Sequence, residues 1–148
     1  SLVRRIFGID DDPSILEEHT AELGVTLGDA LLVPHRSYTA ELTPVLDRIK
    51  GMAHITGGGL TDNVPRMLPV GLAAHLNSTA WEIPALFQLL QQKGKIGTEE
   101  MNRVFNMGIG MIVAVDPDDV VSVRTEIAEA IVVGEIALAD GGPQVIIS

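Results

Sequence analysis

His54, Gly57, Gly58, Gly59 and Arg66 fall within one short stretch of the chain, and together they could bind an anion and move a proton. Consecutive glycines carry a large ordering cost, so a folded chain keeps them where the backbone needs positive φ or an approach too close for a Cβ. Thr61 and Asp62 follow as candidate N-caps, and Pro65 fits only an early helical turn, so the amides of a helix start are expected to face an anion. No lysine sits beside the loop, and an anion there would rely on backbone N–H groups, Arg66 or His54. An imidazole in that position can donate to a phosphoryl oxygen or carry a proton. The alternative is a tight strand-to-helix connection that binds nothing. Neither the Gly-x-x-x-x-Gly-Lys-Ser/Thr phosphate loop nor the spaced third glycine of the dinucleotide loop is present.

A loop of this kind needs a strand before it and a helix after it. Residues 52–56 are short and apolar and read as a buried strand ending at the glycines, which is where α/β proteins place ligands. Upstream, Leu2, Val3, Ile6 and Phe7 share one helical face that Gly8 ends, and Asp10, Asp11 and Asp12 before Pro13 read as solvated helix-start acids. Thr26 caps a short helix over residues 26–32 that Pro34 stops, and residues 38–49 read as a helix burying Leu42, Val45, Leu46 and Ile49.

Downstream, residues 72–76 read as a strand, 83–93 as an amphipathic helix with Pro84 near its start, and Thr98 as the cap of a helix with Glu99 and Glu100 in its first turn. Gly108 and Gly110 alternate before the apolar run 112–115, which places them on one face of a strand and leaves a bare strip for a ligand or another backbone. A bulge or close helix packing is the alternative. A further helix starts at Pro117 and carries its apolar stripe over residues 120–128, and strands over 131–136 and 144–147 close the chain through a turn at 140–143. This interleaving predicts an α/β fold of the α+β type, a mixed sheet flanked by helices, with residues 1–148 as a single domain.

Composition narrows the function classes. A chain of 148 residues buries about two-thirds of its unfolded surface and needs no staples. The core must be aliphatic, because 46% of residues are hydrophobic and only 3% aromatic. Twenty acids against ten bases give a net charge of -10, which argues against nucleic acid or an anionic membrane as partner. The absence of cysteine excludes disulfides and thiolate metal sites and suits a reducing cytoplasm. His19, His35, His54 and His75 show no metal-ligand spacing, so no metal site is expected. No apolar run approaches the length of a membrane span, and no signal peptide is present. Ser1 is followed by what reads as the middle of a helix, so the chain is expected to be part of a longer polypeptide.

Three ordered motifs carry a resemblance. HITGGGLTDNVPRMLP at 54–69, LLVPHRSY at 31–38 and EEMNRVFNMGIGM at 99–111 resemble the C-terminal half of aminoimidazole ribonucleotide synthetase, the phosphoribosylformylglycinamidine cyclo-ligase family. The match runs from the SLVR opening to the VVGEI strand and covers nearly the whole chain. It implies a step of purine biosynthesis in which ATP phosphorylates the amide oxygen of formylglycinamidine ribonucleotide and an amidine nitrogen closes the imidazole ring. It further implies that this chain is the C-terminal half of a two-domain enzyme. The N-terminal domain, absent here, would carry most of the ATP and Mg²⁺ ligands and form a homodimer in the cytoplasm. Partners would be a phosphoribosyl substrate and the enzyme's own N-terminal domain.

On that resemblance His54 is the candidate catalytic residue, with Thr56, Gly57, Gly58, Gly59, Arg66, Asn106 and Gly108 as candidate substrate- or phosphate-binding residues. Three positions depart from the family pattern: His35 stands where many members have Thr, Ala40 at or near a Lys, and Asn102 at a Tyr, so no role is carried over to them. The stretch from Arg124 to Val132 is short for the family, as though a loop were missing. Two other readings keep the residues and change the function. One is a sibling ATP-dependent enzyme such as formylglycinamidine ribonucleotide synthetase, thiamine monophosphate kinase, selenophosphate synthetase or the hydrogenase maturation protein. The other is a non-enzymatic anion-binding domain.

Overall fold

The computed structural model describes residues 2–148; Ser1, on which the expectation of a longer polypeptide rested, lies outside them. The predicted mixed α/β character holds, but the strands form three small sheets rather than one. Helix α1 (Leu2–Phe7) ends at Gly8, whose φ of +69° only glycine adopts freely. Asp12 caps a 3₁₀ turn over Pro13–Glu17 as expected, and a hairpin of β1 (His19–Thr20) and β2 (Val25–Thr26) follows. Two-residue strands carry no readable period, which is why the sequence did not announce this hairpin. Thr26 caps α2 (Leu27–Leu31) by accepting from the Asp29 N–H.

The helix predicted over 38–49 is broken. α3 (Thr39–Leu42) gives way to a 3₁₀ turn over Thr43–Arg48, because Pro44 supplies no N–H to continue the ladder. Val45 is fully buried, while Leu46 is exposed against expectation. β3 (Ile49–His54) pairs antiparallel with β5 (Met111–Val115), His54 opposite Met111. Ala53 is buried while Met52 and His54 face outward, so only one face of this strand is covered. α4 is Gly59–Asn63, starting two residues before the predicted caps; Thr61 and Asp62 lie inside it.

β4 (Leu72–Leu76) is the middle of the three-stranded sheet, antiparallel to β6 (Gly134–Leu138) and parallel to β7 (Val145–Ile147). The last two strands therefore do not form a hairpin across the 140–143 turn; β4 lies between them. β6 also starts later than predicted, at Gly134, where a Cβ would lie 1.9 Å from the His75 carbonyl oxygen. α5 (Ala85–Gly94) follows Pro84, α6 (Thr98–Val104) has Gly97 rather than Thr98 at its N-cap, and α7 (Val120–Glu126) follows the Pro117 turn. Gly108 and Gly110 precede β5 rather than lie in it, and Gly108 has a φ of +95° in a turn. After α7 the chain turns back at once, the Ala130 N–H bonding to Ile127 O and its carbonyl accepting from Arg124 Nε at 3.3 Å.

Two aliphatic clusters form the core. One joins Ala53, Ile55, Leu60, Val64, Ala74, Leu76 and Ile112 between the β3–β5 ladder, α4 and β4. The other joins Phe7, Leu27, Leu90, Met101 and Met107 beneath α1, α2, α5 and α6. Each fully buried leucine among them contributes on the order of 2 kcal/mol. Among the described residues no helix is long and apolar enough to cross a membrane.

Candidate functional site

The glycine loop is fixed from both ends. Ile55, fully buried, donates its N–H to Gly110 O at 2.9 Å, and Gly59 N–H donates to Thr56 O at 3.0 Å. Asn63, 2% exposed, reaches back from the end of α4 to donate its amide to Gly59 O at 2.8 Å and Gly57 O at 3.2 Å. The sequence offered one faint signal for this clamp, an asparagine four residues beyond a glycine at helical spacing. Removing it leaves two carbonyls short of donors. Asn63→Ala is expected to cost about 2 kcal/mol, measured by denaturant unfolding, and to loosen the loop.

The three glycines differ in what constrains them. At Gly59 a Cβ would lie 2.0 Å from Asn102 O and 2.7 Å from Phe105 O, so the loop packs directly on the backbone of α6 and the turn after it. Gly58 holds a φ of +97° and would meet the Asp62 side chain at 2.8 Å. Gly57 has neither constraint, and a Cβ there would meet nothing within 4 Å. Among the described residues none accepts from the N–H of Gly57 or Gly58. These groups, with exposed Thr56 beside them, form the part of the loop able to receive an anion.

The other predicted residues divide. His54 ends β3 immediately before the loop, exposed. Arg66 lies on the 3₁₀ turn Val64–Met67, exposed and without an ion-pair partner among the described residues. Asn106 and Gly108 are joined to each other: Asn106 Oδ1 accepts from the Gly108 N–H at 3.0 Å, and the turn is held further by Trp81 Nε1 donating to Met107 O at 3.0 Å. A Cβ at Gly108 would lie 2.6 Å from Pro84 Cδ, so close packing and positive φ account for this glycine.

Three neighbours of His54 were not among the predicted site residues. The stretch 33–38 runs without regular structure and places His35, Arg36 and Tyr38 beside the end of β3. His35 Nε2 lies 2.5 Å from His54 Nε2, and Tyr38 presents its ring edge-on to both imidazoles at 6.2 and 6.3 Å. Arg36 lies over the Tyr38 ring at 5.6 Å and is held by Glu41 at 2.7 Å and by Glu129. Gly110 makes the room: a Cβ there would be 1.9 Å from Tyr38 Oη. These residues stand within the 31–38 motif, but the nineteen-residue separation of His35 and His54 hid the contact.

A cavity of about 440 Å³ opens beside this cluster, lined by Arg36, Tyr38, Thr39, Leu46, Met52 and His54. A second, of about 320 Å³, runs past Trp81, Gly108, Ile131 and Val133 and shares Arg36 and Tyr38 with the first. Glu129 and Glu41 both reinforce the positive charge of Arg36, and Arg36 in turn holds the Glu41 carboxyl below its ordinary value of 4.5. A carboxyl lowered on folding stabilises above its unfolded value and loses that contribution as pH falls through the lowered one. The thermal midpoint is therefore expected to drop more steeply below about pH 4.5 in the native chain than in Glu41→Gln.

Among the described residues no three carboxylate or imidazole groups converge as a metal site.

Comparison with known proteins agrees with the motifs. The family model described as AIR synthase related protein, C-terminal domain, matches residues 1–146. A phosphoribosylformylglycinamidine cyclo-ligase of Caldicellulosiruptor bescii is 50% identical over 122 residues, 81% of this chain and 36% of the relative. One of Desulfitobacterium hafniense is 46% identical over 143 residues, 93% of this chain and 41% of the relative. One of Thermoanaerobacter sp. is 46% identical over 147 residues, 96% of this chain and 44% of the relative. The chain thus spans less than half the length of these relatives. With the family match reaching from residue 1 to residue 146, the chain belongs to the AIR synthase related proteins, as a C-terminal domain of that family.

Proposed function

We propose that this domain forms the substrate-facing wall of an ATP-dependent cyclo-ligase that converts formylglycinamidine ribonucleotide to aminoimidazole ribonucleotide in purine biosynthesis. The observation that carries the reading is the shared name of relatives 46–50% identical over most of the chain. A preceding domain would bring ATP and Mg²⁺, pair into a homodimer and close the cleft, and the whole enzyme would work in the cytoplasm. ATP supplies the phosphoryl group that turns the amide oxygen into a leaving group.

What remains is work for this domain's residues. The N–H groups of Gly57 and Gly58 donate to a phosphate, and Arg66 adds a positive charge in a chain of net charge -10. Asn106, whose oxygen accepts from the Gly108 N–H in the turn, has its NH₂ to offer to a ligand. His54 accepts the proton that the amidine nitrogen gives up as it closes on the activated carbon. The test is ring closure by the two-domain protein supplied with ATP and formylglycinamidine ribonucleotide. Formation of aminoimidazole ribonucleotide with one ADP per ring supports the reading, and a folded protein that makes none refutes it. Residues 1–148 alone are expected to give no turnover.

A further inference from the structure

The two imidazoles meet end to end. Their ring planes differ by 13° and their centroids are 4.6 Å apart, while the Nε2 atoms are 2.5 Å apart. That centroid distance is nearly the N···N contact plus the two centre-to-nitrogen radii, so both nitrogens lie close to the line joining the ring centres. Face-to-face stacking cannot produce this; an in-plane hydrogen bond does. One ring must donate from Nε2 and the other accept. Among the described residues neither imidazole has a second hydrogen-bond partner, and both residues are exposed.

The surroundings hold the pair without entering its hydrogen bond. Tyr38 touches both rings through its ring edge, and a Cβ at Gly110 would crowd His35 Cε1 at 3.3 Å. The cation of the cluster, Arg36, is already engaged by Glu41 and Glu129.

We infer that His35 is a positioning residue for His54 and the outlet of a two-imidazole proton relay. The inference rests on the reading that His54 accepts a proton during ring closure. At the start His54 carries its proton on Nε2 and donates it to Nε2 of His35, which carries its own proton on Nδ1. Nδ1 of His54 takes the proton released by the substrate nitrogen, the Nε2 proton crosses to His35, and the Nδ1 proton of His35 leaves to water. One proton has moved from substrate to solvent: N–H bonds break and form along the two rings, an O–H bond forms on water, and neither ring gains net charge. The hydrogen bond between the rings is reversed but kept, so both end states retain it.

The experiment uses the two-domain protein. In His35→Ala, kcat for ring closure is expected to fall by about 10²-fold with KM within about twofold, and free imidazole in the buffer should restore part of the loss. His35→Gln, which fills the space but cannot relay, should lose as much. In the native protein, nuclear magnetic resonance should show a coupling between the two Nε2 nuclei across the hydrogen bond. Full kcat in either variant, or a loss in His35→Ala that imidazole does not restore, overturns the relay. A His54→Ala protein that keeps its turnover would refute the role of His54 itself. A His54→Ala protein that loses it beside an active His35→Ala would refute the relay alone.

Discussion

Gly59→Ala is expected to destabilise the domain by roughly 4 kcal/mol, combining overpacking with positive-φ strain, enough to leave a marginal protein largely unfolded. The new methyl group would have to occupy a position 2.0 Å from Asn102 O, and the φ of +57° would be strained in any case. Backbone cannot swing aside as a side-chain tip can, and Gly59 lies where α4 meets the end of α6, between the two core clusters. Gly57→Ala supplies the contrast. With open space around its Cβ it should change stability by less than about 0.5 kcal/mol, while crowding any anion approaching the neighbouring N–H groups. Denaturant unfolding of both variants, with phosphate-compound binding by calorimetry, checks the pair. Equal stability losses would show that the loop is packing throughout.

His54→Ala carries the second large effect, on turnover rather than on folding. The side chain is exposed and its one hydrogen bond is to His35, itself exposed, so truncation removes little buried surface. General acid–base catalysis contributes about 10² to 10⁴-fold, and a loss of that size in kcat is expected for the two-domain enzyme, with the thermal midpoint nearly unchanged. The two readouts separate a chemical role from a structural one. A midpoint that falls together with kcat would assign His54 to the fold instead.

How much of this could be read from residues depends on how local each cause is. The glycine loop was legible because its strand, glycines and proline lie within a few residues of one another. The function of each glycine was not, since Gly59 answers to the carbonyls of Asn102 and Phe105, far along the chain. Thr61 and Asp62 looked like caps, but a left-handed Gly58 starts the helix without a side-chain cap. At Pro44 the apolar spacing continued while the hydrogen-bond ladder did not, so Leu46 was assigned to the core and lies outside it. At the candidate site His54 was singled out by the family resemblance, as the histidine before the glycines. Arg36 and Tyr38 were hidden because residues 33–38 have no period to show which way they face. Asn63 was overlooked because its partners are backbone atoms, and an asparagine four residues beyond a glycine is too common a spacing to single it out.

The position of β4 in the middle of its sheet has a consequence for how the protein is made. Ala74 is matched with Ile136 on one side and Val145 on the other, and Ser148 N–H bonds to Leu76 O. A strand laid down near the midpoint of the chain must wait, unpaired, for partners synthesised some sixty to seventy residues later. The β3–β5 ladder can close earlier, once residue 115 is available. During translation the apolar strand around Ala73 and Ala74 therefore spends seconds without its neighbours, at about 5–20 residues per second. In that interval the nascent domain is most open to chaperones and to mispairing, and a ribosome stalled before residue 134 would hold a chain whose final sheet cannot yet form.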